Sequence, residues 1–260
     1  MLINPLYSLA GVLVGLIVGL TGVGGGSLMT PLLVLAFGFH PATAVGTDLL
    51  YASATKTVGT TVHGWRGTVD WRVVGWLALG SVPAALLTLT ALHYAGEQSK
   101  DTGRAISIAL GITLILSGLA TLFRARIVAT LKRAFGKIGH TRAHELTVLL
   151  GIALGVLVSL TSVGAGALGM TALLILYPDL PLKRLVGSDI AHAVPLTLLG
   201  GIGHWLLGSV DGALLVSLLV GSIPGIVIGS VIASRISDRV LGPILAVVLA
   251  LVGVKLLGLF

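Results

Sequence analysis

Residues 20–26 read LTGVGGG, and residues 160–166 read LTSVGAG. The similarity continues downstream, because the VGTD of residues 45–48 returns as the VGSD of residues 186–189 and the GSVP of residues 80–83 returns as GSIP. The offset is 140 residues for the first pair and 141 for the later ones. The second half of the chain therefore repeats the first. A duplicated apolar unit with a glycine break near the start of each copy is typical of secondary transporters.

The composition predicts a chain that lies in a membrane. Apolar residues make up 55% of the 260 residues, charged residues make up 10%, and the mean hydropathy is +1.08. A soluble domain carries about 25% charged residues, so this chain has too few to cover itself with a water-facing surface. We expect a multi-pass protein of the inner (cytoplasmic) membrane. Residues 1–5 contain no basic residue, so no cleavable signal peptide is expected.

The same counts exclude several functional classes. The chain has no cysteine, which excludes disulfides, thiolate catalysis and cysteine metal sites. The net charge of +7 is attributed to membrane topology rather than to nucleic-acid binding, since no segment is predicted to form a soluble nucleic-acid module. Neither a Gly-x-Ser-x-Gly nor a His-Glu-x-x-His motif is present, so no enzyme, cofactor or metal is expected.

The apolar segments predict helices of two lengths. They lie near residues 5–20, 28–38, 42–62, 72–92, 104–123, 145–161, 167–177, 183–206, 212–233 and 240–259. A full span needs about 20 residues, whereas segments 28–38 and 167–177 cover only roughly 16 Å at 1.5 Å per residue. Each half therefore opens with either one long broken helix or a hairpin that dips into the membrane and returns.

The basic residues choose between these two arrangements. The hairpin arrangement places twelve lysines and arginines on one side of the membrane and three on the other. The three are Lys100, Arg104 and Lys255. Because lysine and arginine accumulate in cytoplasmic loops, the hairpin arrangement is favoured. It predicts that both termini lie outside and that the basic linker 124–144 lies in the cytoplasm.

The predicted fold is an all-α polytopic membrane protein with two inverted-topology repeats. The first repeat covers residues 1–123, and the second covers residues 145–260. Each begins with a glycine-broken opening helix pair, which is a re-entrant or short-span hairpin, and continues with three spanning helices. The tips of the two hairpins would meet near the bilayer midplane.

The two glycine breaks form the first candidate binding site. Adjacent glycines leave backbone N–H groups unpaired, which a bilayer tolerates only inside the protein or beside a wet cavity. Such groups form an anion nest, and the following helix adds the positive end of its dipole. The alternative is close helix packing, which small residues also permit. The predicted substrate-binding residues here are Thr21, Gly22, Gly24, Gly25, Gly26, Thr161, Ser162, Gly164 and Gly166.

Two aspartates occupy corresponding positions inside predicted spans, where a charge is costly. Asp48 follows Thr47, and Asp189 follows Ser188. The aspartates are candidate proton carriers, or they are carboxyls that satisfy backbone donors at the neighbouring break. The two hydroxyl residues join the predicted substrate-binding set.

Lys56 and His192 lack a charged counterpart in the other repeat, where Thr197 and Tyr51 stand. Lys56 is a candidate cation for an anionic substrate, or its long side chain reaches the membrane surface. His192 lies one turn after Ser188 on the same helix face. It is a candidate for substrate binding or proton transfer, or it is a histidine hydrogen-bonded within the bundle.

These motifs resemble the TauE/SafE family of membrane permeases. The resemblance covers nearly the whole chain and rests on GLTGVGGG at 19–26, VGTDLL at 45–50, GTVDW at 67–71 and VGSDIAH at 186–192. It implies export of sulfite or of an organosulfonate such as sulfoacetate. The second repeat departs from the first at Ser162, Ala165 and Gly212. An unequal contribution of the two hairpin tips is therefore left open.

The resulting prediction is a secondary transporter that exports a small sulfur-containing anion by alternating access. The anion would bind between the two glycine-broken hairpins. The expected partners are this anion and the lipid bilayer, with no nucleic acid; an oligomer is possible but not indicated. The alternatives are an anion channel, a proton-coupled anion importer and a membrane subunit without transport activity, and an intramembrane enzyme ranks last.

Overall fold

The computed structural model describes residues 3–21, 26–65, 67–135, 139–233 and 238–258. These residues are nearly all helical and contain no strand. The prediction of an all-α protein is confirmed for the described part of the chain.

Eleven α-helices and one π-helical turn make up the described residues. The helices are α1 Pro5–Thr21, α2 Gly26–Leu35, α3 Pro41–Trp65, α4 Trp71–Ala95, α5 Lys100–Leu122, α6 Arg124–Phe135, α7 His140–Thr161, α8 Met170–Leu176, α9 Leu182–Leu206, α10 Gly212–Ala233 and α11 Asp238–Leu256. The π-helical turn Ala165–Gly169 leads directly into α8. Five segments are long and apolar enough to cross a membrane: α4, α5, α7, α9 and residues Gly212–Gly229 of α10. The chain is therefore a multi-pass membrane protein.

Two short helices follow the glycine breaks, as predicted. Helix α2 has 10 residues, and the π-helical turn together with α8 covers residues 165–176. A span needs about 20 residues, so neither crosses a bilayer alone. Helix α2 packs against α3, and α8 packs against α9. Each half-length helix thus contacts the aspartate-bearing helix of its own repeat.

The segment predicted as the linker 124–144 is largely helical, which the sequence reading did not include. Arg124, Ile127, Val128 and Leu131 are partly buried and recur at helical spacing, so α6 has an inward face that packs on α5 and α8. Helix α7 also begins five residues earlier than predicted, at His140. Basic residues on this face and next to it, Arg124, Arg126 and Lys132, concealed the amphipathic pattern.

The two repeats pack reciprocally rather than as separate bodies. Helix α1 of the first repeat packs against α10 of the second, and the equivalent helix α7 packs against α4. The remaining major contacts join α3 with α9 and α5 with α11. Each repeat therefore completes the hydrophobic core of the other.

Glycines bring the backbones of these reciprocal pairs into contact. A Cβ added at Gly80 would lie 2.1 Å from the carbonyl oxygen of Val148, and one added at Gly221 would lie 1.8 Å from that of Ser8. Gly221 is the repeat equivalent of Gly80, and Val148 that of Ser8. Small residues at membrane helix contacts allow this approach. The repeated glycines therefore serve helix packing at these positions.

Helices α3 and α9 run antiparallel, although they are equivalent in the two repeats. Gly46 near the start of α3 meets Ser209 beyond the end of α9, and Gly187 near the start of α9 meets Thr68 beyond the end of α3. A Cβ at either glycine would lie 2.3 Å from the carbonyl oxygen it faces. This pair forms the contact between the two aspartate-bearing helices.

The first prediction concerns the glycine contacts. Gly80→Ala should destabilise the protein by about 1–3 kcal/mol, because the added methyl group meets backbone that must move away. Gly75→Ala on the same helix has no atom within 4 Å of its added Cβ and should be neutral or stabilising by up to about 1 kcal/mol. Thermal unfolding of both variants in one detergent measures the difference. Equal melting temperatures would contradict the packing role.

Candidate functional site

The centre of the bundle contains charged and polar side chains from both repeats. Asp48 on α3 and Asp189 and His192 on α9 are all buried. Lys56 on α3 is partly buried. A buried charge in a membrane protein is costly and most often marks a functional site. The structure brings together all four of these predicted residues.

Asp48 is held by the half-length helix of its own repeat. The hydroxyl of Thr30 on α2 donates a hydrogen bond to Oδ2 of the Asp48 carboxylate. The other oxygen, Oδ1, is buried and has no hydrogen-bond partner in the described part of the chain. Sequence reasoning proposed backbone donors at the neighbouring break, and the Thr30 backbone also lies beside this carboxyl. It missed the Thr30 hydroxyl, whose position one turn into α2 was the available signal. One oxygen thus anchors α2, and the other is available to a ligand or a proton.

Asp189 occupies the equivalent place beside the second half-length helix. A Cβ added at Gly169, where the π-helical turn joins α8, would lie 2.9 Å from Oδ1 of Asp189. This oxygen is also buried without a hydrogen-bond partner among the described residues. A side chain at this position would displace the carboxylate. Both aspartates therefore contact the start of a half-length helix.

Lys56 provides one positive charge for the two carboxylates. It lies near enough to attract both Asp48 and Asp189 electrostatically. Its equivalent, Thr197, is buried and donates its hydroxyl to the Ala193 carbonyl 2.8 Å away. The charge of the centre is therefore asymmetric between the repeats. The lysine faces the interior carboxylates, which favours the inward-facing prediction over one in which it reaches the membrane surface.

A second cation acts on the centre from the linker. Arg124, the first residue of α6, is partly buried and attracts Asp189. Sequence reasoning assigned Arg124 only to the count of cytoplasmic charges. Its place at the start of the inward face of α6 was the signal that would have identified it.

His192 is hydrogen-bonded on one side only. Its Nε2 lies 2.8 Å from the hydroxyl oxygen of Ser81 on α4, and its Nδ1 is buried with no partner in the described ranges. The equivalent pair in the other half is Tyr51 and Ser222, which also lie beside each other. The same two positions are therefore paired twice, each time between one repeat and the other. Ser81 is thus a further polar residue of the centre that the sequence did not identify.

The second glycine break meets the aspartate of the first repeat. Helix α7 ends at Thr161; its C-cap Ser162 has a left-handed φ of 59°, and Gly164 has a φ of 120°. The buried hydroxyl of Ser162 lies beside the Asp48 carboxylate and forms no hydrogen bond of normal geometry with the described residues. Thr161 instead donates to the Leu157 carbonyl, 2.6 Å away. Ser162 therefore lies beside the centre, and the predicted substrate contact of Thr161 stays a prediction.

The remaining glycines of the breaks are only partly accounted for. Gly166 lies within the π-helical turn. Gly22, Gly24 and Gly25 lie outside the described residues, as do the side chain of Thr21 and the surroundings of Gly26. Their predicted role in substrate binding stays a prediction.

Thr47 and Ser188 connect the two repeats. The backbone N–H of Asp211 donates to Oγ1 of Thr47 over 3.1 Å, and the backbone N–H of Asp70 donates to Oγ of Ser188 over 2.8 Å. Asp70 and Asp211 stand at the starts of α4 and α10. These hydroxyls therefore stabilise the contact between repeats, and their predicted substrate contact stays a prediction.

Metal binding finds no support in the described residues. No group of three or more histidine or acidic side chains there is placed to hold a metal ion. The centre instead offers hydroxyl donors, carboxylates and a lysine, which are groups that bind anions or exchange protons.

Several spanning helices around a buried charged centre, with two half-length helices that begin at it, are the architecture of a membrane transporter. The chain belongs to the TauE/SafE family, since the family described as "Sulfite exporter TauE/SafE" matches residues 7–256. The recognition made from the sequence motifs is confirmed.

Bacterial and archaeal relatives resemble most of the chain. The probable membrane transporter protein YjnA of Bacillus subtilis is 39% identical over 211 residues, which are 81% of this chain and 82% of that protein. The probable membrane transporter protein YdhB of the same organism is 30% identical over 79% of this chain and 80% of its own length. MJ0441 of Methanocaldococcus jannaschii, also a probable membrane transporter protein, is 24% identical over 82% of this chain and 76% of its own length. No solved structure gives a significant match.

The second prediction tests the contact between repeats. Ser188→Ala and Thr47→Val should each destabilise the protein by about 1–3 kcal/mol, because each leaves a partly buried backbone N–H without its acceptor. Thr90→Val is the control: its exposed hydroxyl bonds only within its own helix, so the change should stay within about 0.5 kcal/mol. Thermal unfolding measures all three. Losses of stability no larger than that of the control would show that the two hydroxyls do not stabilise the contact between repeats.

Proposed function

We propose that the protein is a secondary transporter that exports a small sulfur-containing anion, such as sulfite or sulfoacetate. The family match supports the substrate class. The observation that carries the proposal is the meeting of Ser162, at the break of one repeat, with the Asp48 and Lys56 helix of the other. A substrate bound there would contact both repeats at once, as alternating access requires.

The anion would be held by donors rather than by a formal excess of positive charge. The Ser162 hydroxyl, the backbone N–H groups around Gly164 and Gly166, and the Lys56 ammonium are the available donors. Turned backbone N–H groups and helix starts bind anions well. The first break would add the same chemistry through Thr21 and its glycines.

Alternating access would come from movement of the reciprocally packed helix pairs against one another. The antiparallel packing of the equivalent helices α3 and α9 supports the inverted topology on which such a mechanism depends. The reciprocal pairs α1 with α10 and α4 with α7 would move as units, since glycine contacts join their backbones. The half-length helices would then open or close the centre toward either face.

The membrane potential decides the favourable direction. A cytoplasm-negative potential expels a monovalent anion with about 2.3 kcal/mol per 100 mV. Export therefore needs no coupled ion. Import against the same potential would need a coupled ion such as a proton, and the carboxylates of the centre would carry that proton.

Proton coupling is the second candidate mechanism, and a specific observation favours it. Asp48, Asp189 and His192 each have one buried polar atom without a partner among the described residues. The two carboxylates offset the charges of Lys56 and Arg124, so an arriving anion is repelled by them unless at least one carboxyl is protonated. Uptake of a proton with the anion would remove this repulsion.

Flux in proteoliposomes tests the proposed function and separates the two mechanisms. With sulfite or sulfoacetate inside, we expect saturable efflux that follows an imposed potential, with counterflow by the same anion from the opposite side. Flux that depends on a pH gradient at zero potential would favour proton coupling. Flux without saturation or counterflow would indicate a channel. No flux of either anion would overturn the substrate class.

The third prediction concerns Lys56. Lys56→Met should raise the half-saturating anion concentration by about tenfold, which corresponds to 1.4 kcal/mol of lost attraction. Lys100→Met removes an exposed lysine at the start of α5 and should leave the half-saturating concentration unchanged. Concentration dependence of flux measures both variants, and the melting temperature checks folding. An unchanged value in a folded Lys56→Met protein would remove Lys56 from the binding site.

The fourth prediction concerns orientation. Single cysteines introduced at the exposed positions Lys100 and Arg142 should react with membrane-impermeant maleimides from opposite sides, because the chain has no native cysteine to interfere. We expect Lys100→Cys to react from outside and Arg142→Cys from the cytoplasm, as the basic residues predict. Labelling of both from one side would overturn the predicted topology.

A further inference from the structure

A second polar region lies away from the centre, where α4 and α7 begin. A cavity of about 530 Å³ opens there between the starts of these helices and the connection after α8. Its lining includes Arg72, Trp76, His140, His144 and Asp179. The volume is within the roughly 300–1,000 Å³ that small-molecule sites occupy.

An aromatic cluster lies at the corresponding place in the other repeat. There Tyr7 packs edge-to-face against Phe37 and Phe39, with ring centroids 5.1 and 5.7 Å apart. At an offset of 140 residues, Phe37 and Phe39 correspond to Tyr177 and Asp179, which line the cavity. The two equivalent places of the reciprocal scaffold therefore differ in their amino-acid residues and are lined by different side chains.

The lining combines a flat aromatic wall with an available cation. Trp76 stacks on His144, with centroids 4.9 Å apart and planes inclined by 18°. The guanidinium of Arg72 takes part in no hydrogen bond or ion pair with the described residues. The neighbouring Asp70 carboxylate is already engaged, since it accepts from the backbone N–H groups of Arg72 and Val73 as the cap of α4. Arg72 is therefore the cation with the least competition for a ligand.

Two hydrogen bonds lie between the cavity and the centre. The Asp70 backbone N–H bonds to Ser188, the neighbour of Asp189 in the chain. The hydroxyls of Thr147 and Tyr177 lie 2.8 Å apart at the end of α8. Helix α8 itself runs from the Asp189 carboxylate to the cavity wall. A ligand in the cavity is thus one half-length helix away from the proposed binding site.

We propose that this cavity is the site where an organic anion is captured from the cytoplasm, with Arg72 as its anchoring residue. The ligand class is a small sulfonate or carboxylate whose apolar part lies on the Trp76–His144 wall. The inference rests on the proposed function, because the linker face is taken as cytoplasmic and the ligand as the cargo.

Binding is read locally from the fluorescence of Trp76. In protein whose other three tryptophans are replaced by phenylalanine, sulfoacetate should change the Trp76 emission saturably, whereas uncharged dimethyl sulfone should not. Arg72→Gln should weaken the sulfoacetate affinity about tenfold. Asp179→Asn removes a negative charge from the same lining and should strengthen it about twofold to threefold. Arg104→Gln, an exposed arginine at the start of α5, should have no effect.

The opposite signs distinguish binding from damage to the fold, because misfolding would weaken affinity in both cavity variants. Emission that does not respond to sulfoacetate would overturn the proposal. Equal titrations of wild type, Arg72→Gln and Asp179→Asn would overturn it too, as would an equal response to dimethyl sulfone.

Sided flux separates this inference from the proposed function. Arg72→Gln should raise the half-saturating concentration only for anion supplied at the linker face, whereas Lys56→Met should raise it from both faces. Saturable flux with no sided effect of Arg72→Gln would overturn the capture site and leave the transporter. Binding at Trp76 in a protein without any flux would overturn the proposed function and leave the capture site.

Discussion

Enclosure by protein is the condition on which the polar centre depends, because lipid offers no hydrogen-bond partner to a broken helix or a buried carboxylate. The glycine contacts between repeats provide that enclosure. Backbone meets backbone where Gly80 faces Val148 and where Gly221 faces Ser8. Each repeat thus covers the open side of the other. A single repeat would expose its half-length helix and its aspartate to lipid, so duplication is a physical requirement of this fold.

Within this enclosure, each aspartate is placed where its state affects a half-length helix. Asp48 accepts a hydrogen bond from Thr30 on α2, and Asp189 lies against Gly169 at the start of α8. A proton on Asp48 weakens its carboxyl as an acceptor of the Thr30 hydroxyl, and an anion that reaches the centre competes with the carboxylate for that hydroxyl. Occupation of the centre is therefore linked to the position of α2 by a direct contact and needs no longer pathway.

The sequence predicted what depends on local composition and on the repeat. The helical class, the half-length helices and the burial of the two aspartates follow from hydropathy, segment length and the offset between copies. The partners of Thr47 and Ser188 lie 164 and 118 residues away in the chain, so only the packed structure reveals them. Arg124 was missed for another reason, because charge counting treats an arginine as a loop marker and ignores its place on a helix face.

The differences between the repeats determine what a reciprocal scaffold can do at each face. Lys56 corresponds to Thr197 in the other repeat, and the cavity residue Asp179 corresponds to Phe39. Such asymmetry cannot set the direction of net transport, because a passive carrier only equilibrates its substrate with the potential and the gradients that act on it. It sets the affinity at each face instead. A capture site on the linker face would raise occupancy at low cytoplasmic concentration, and the membrane potential would then supply the direction.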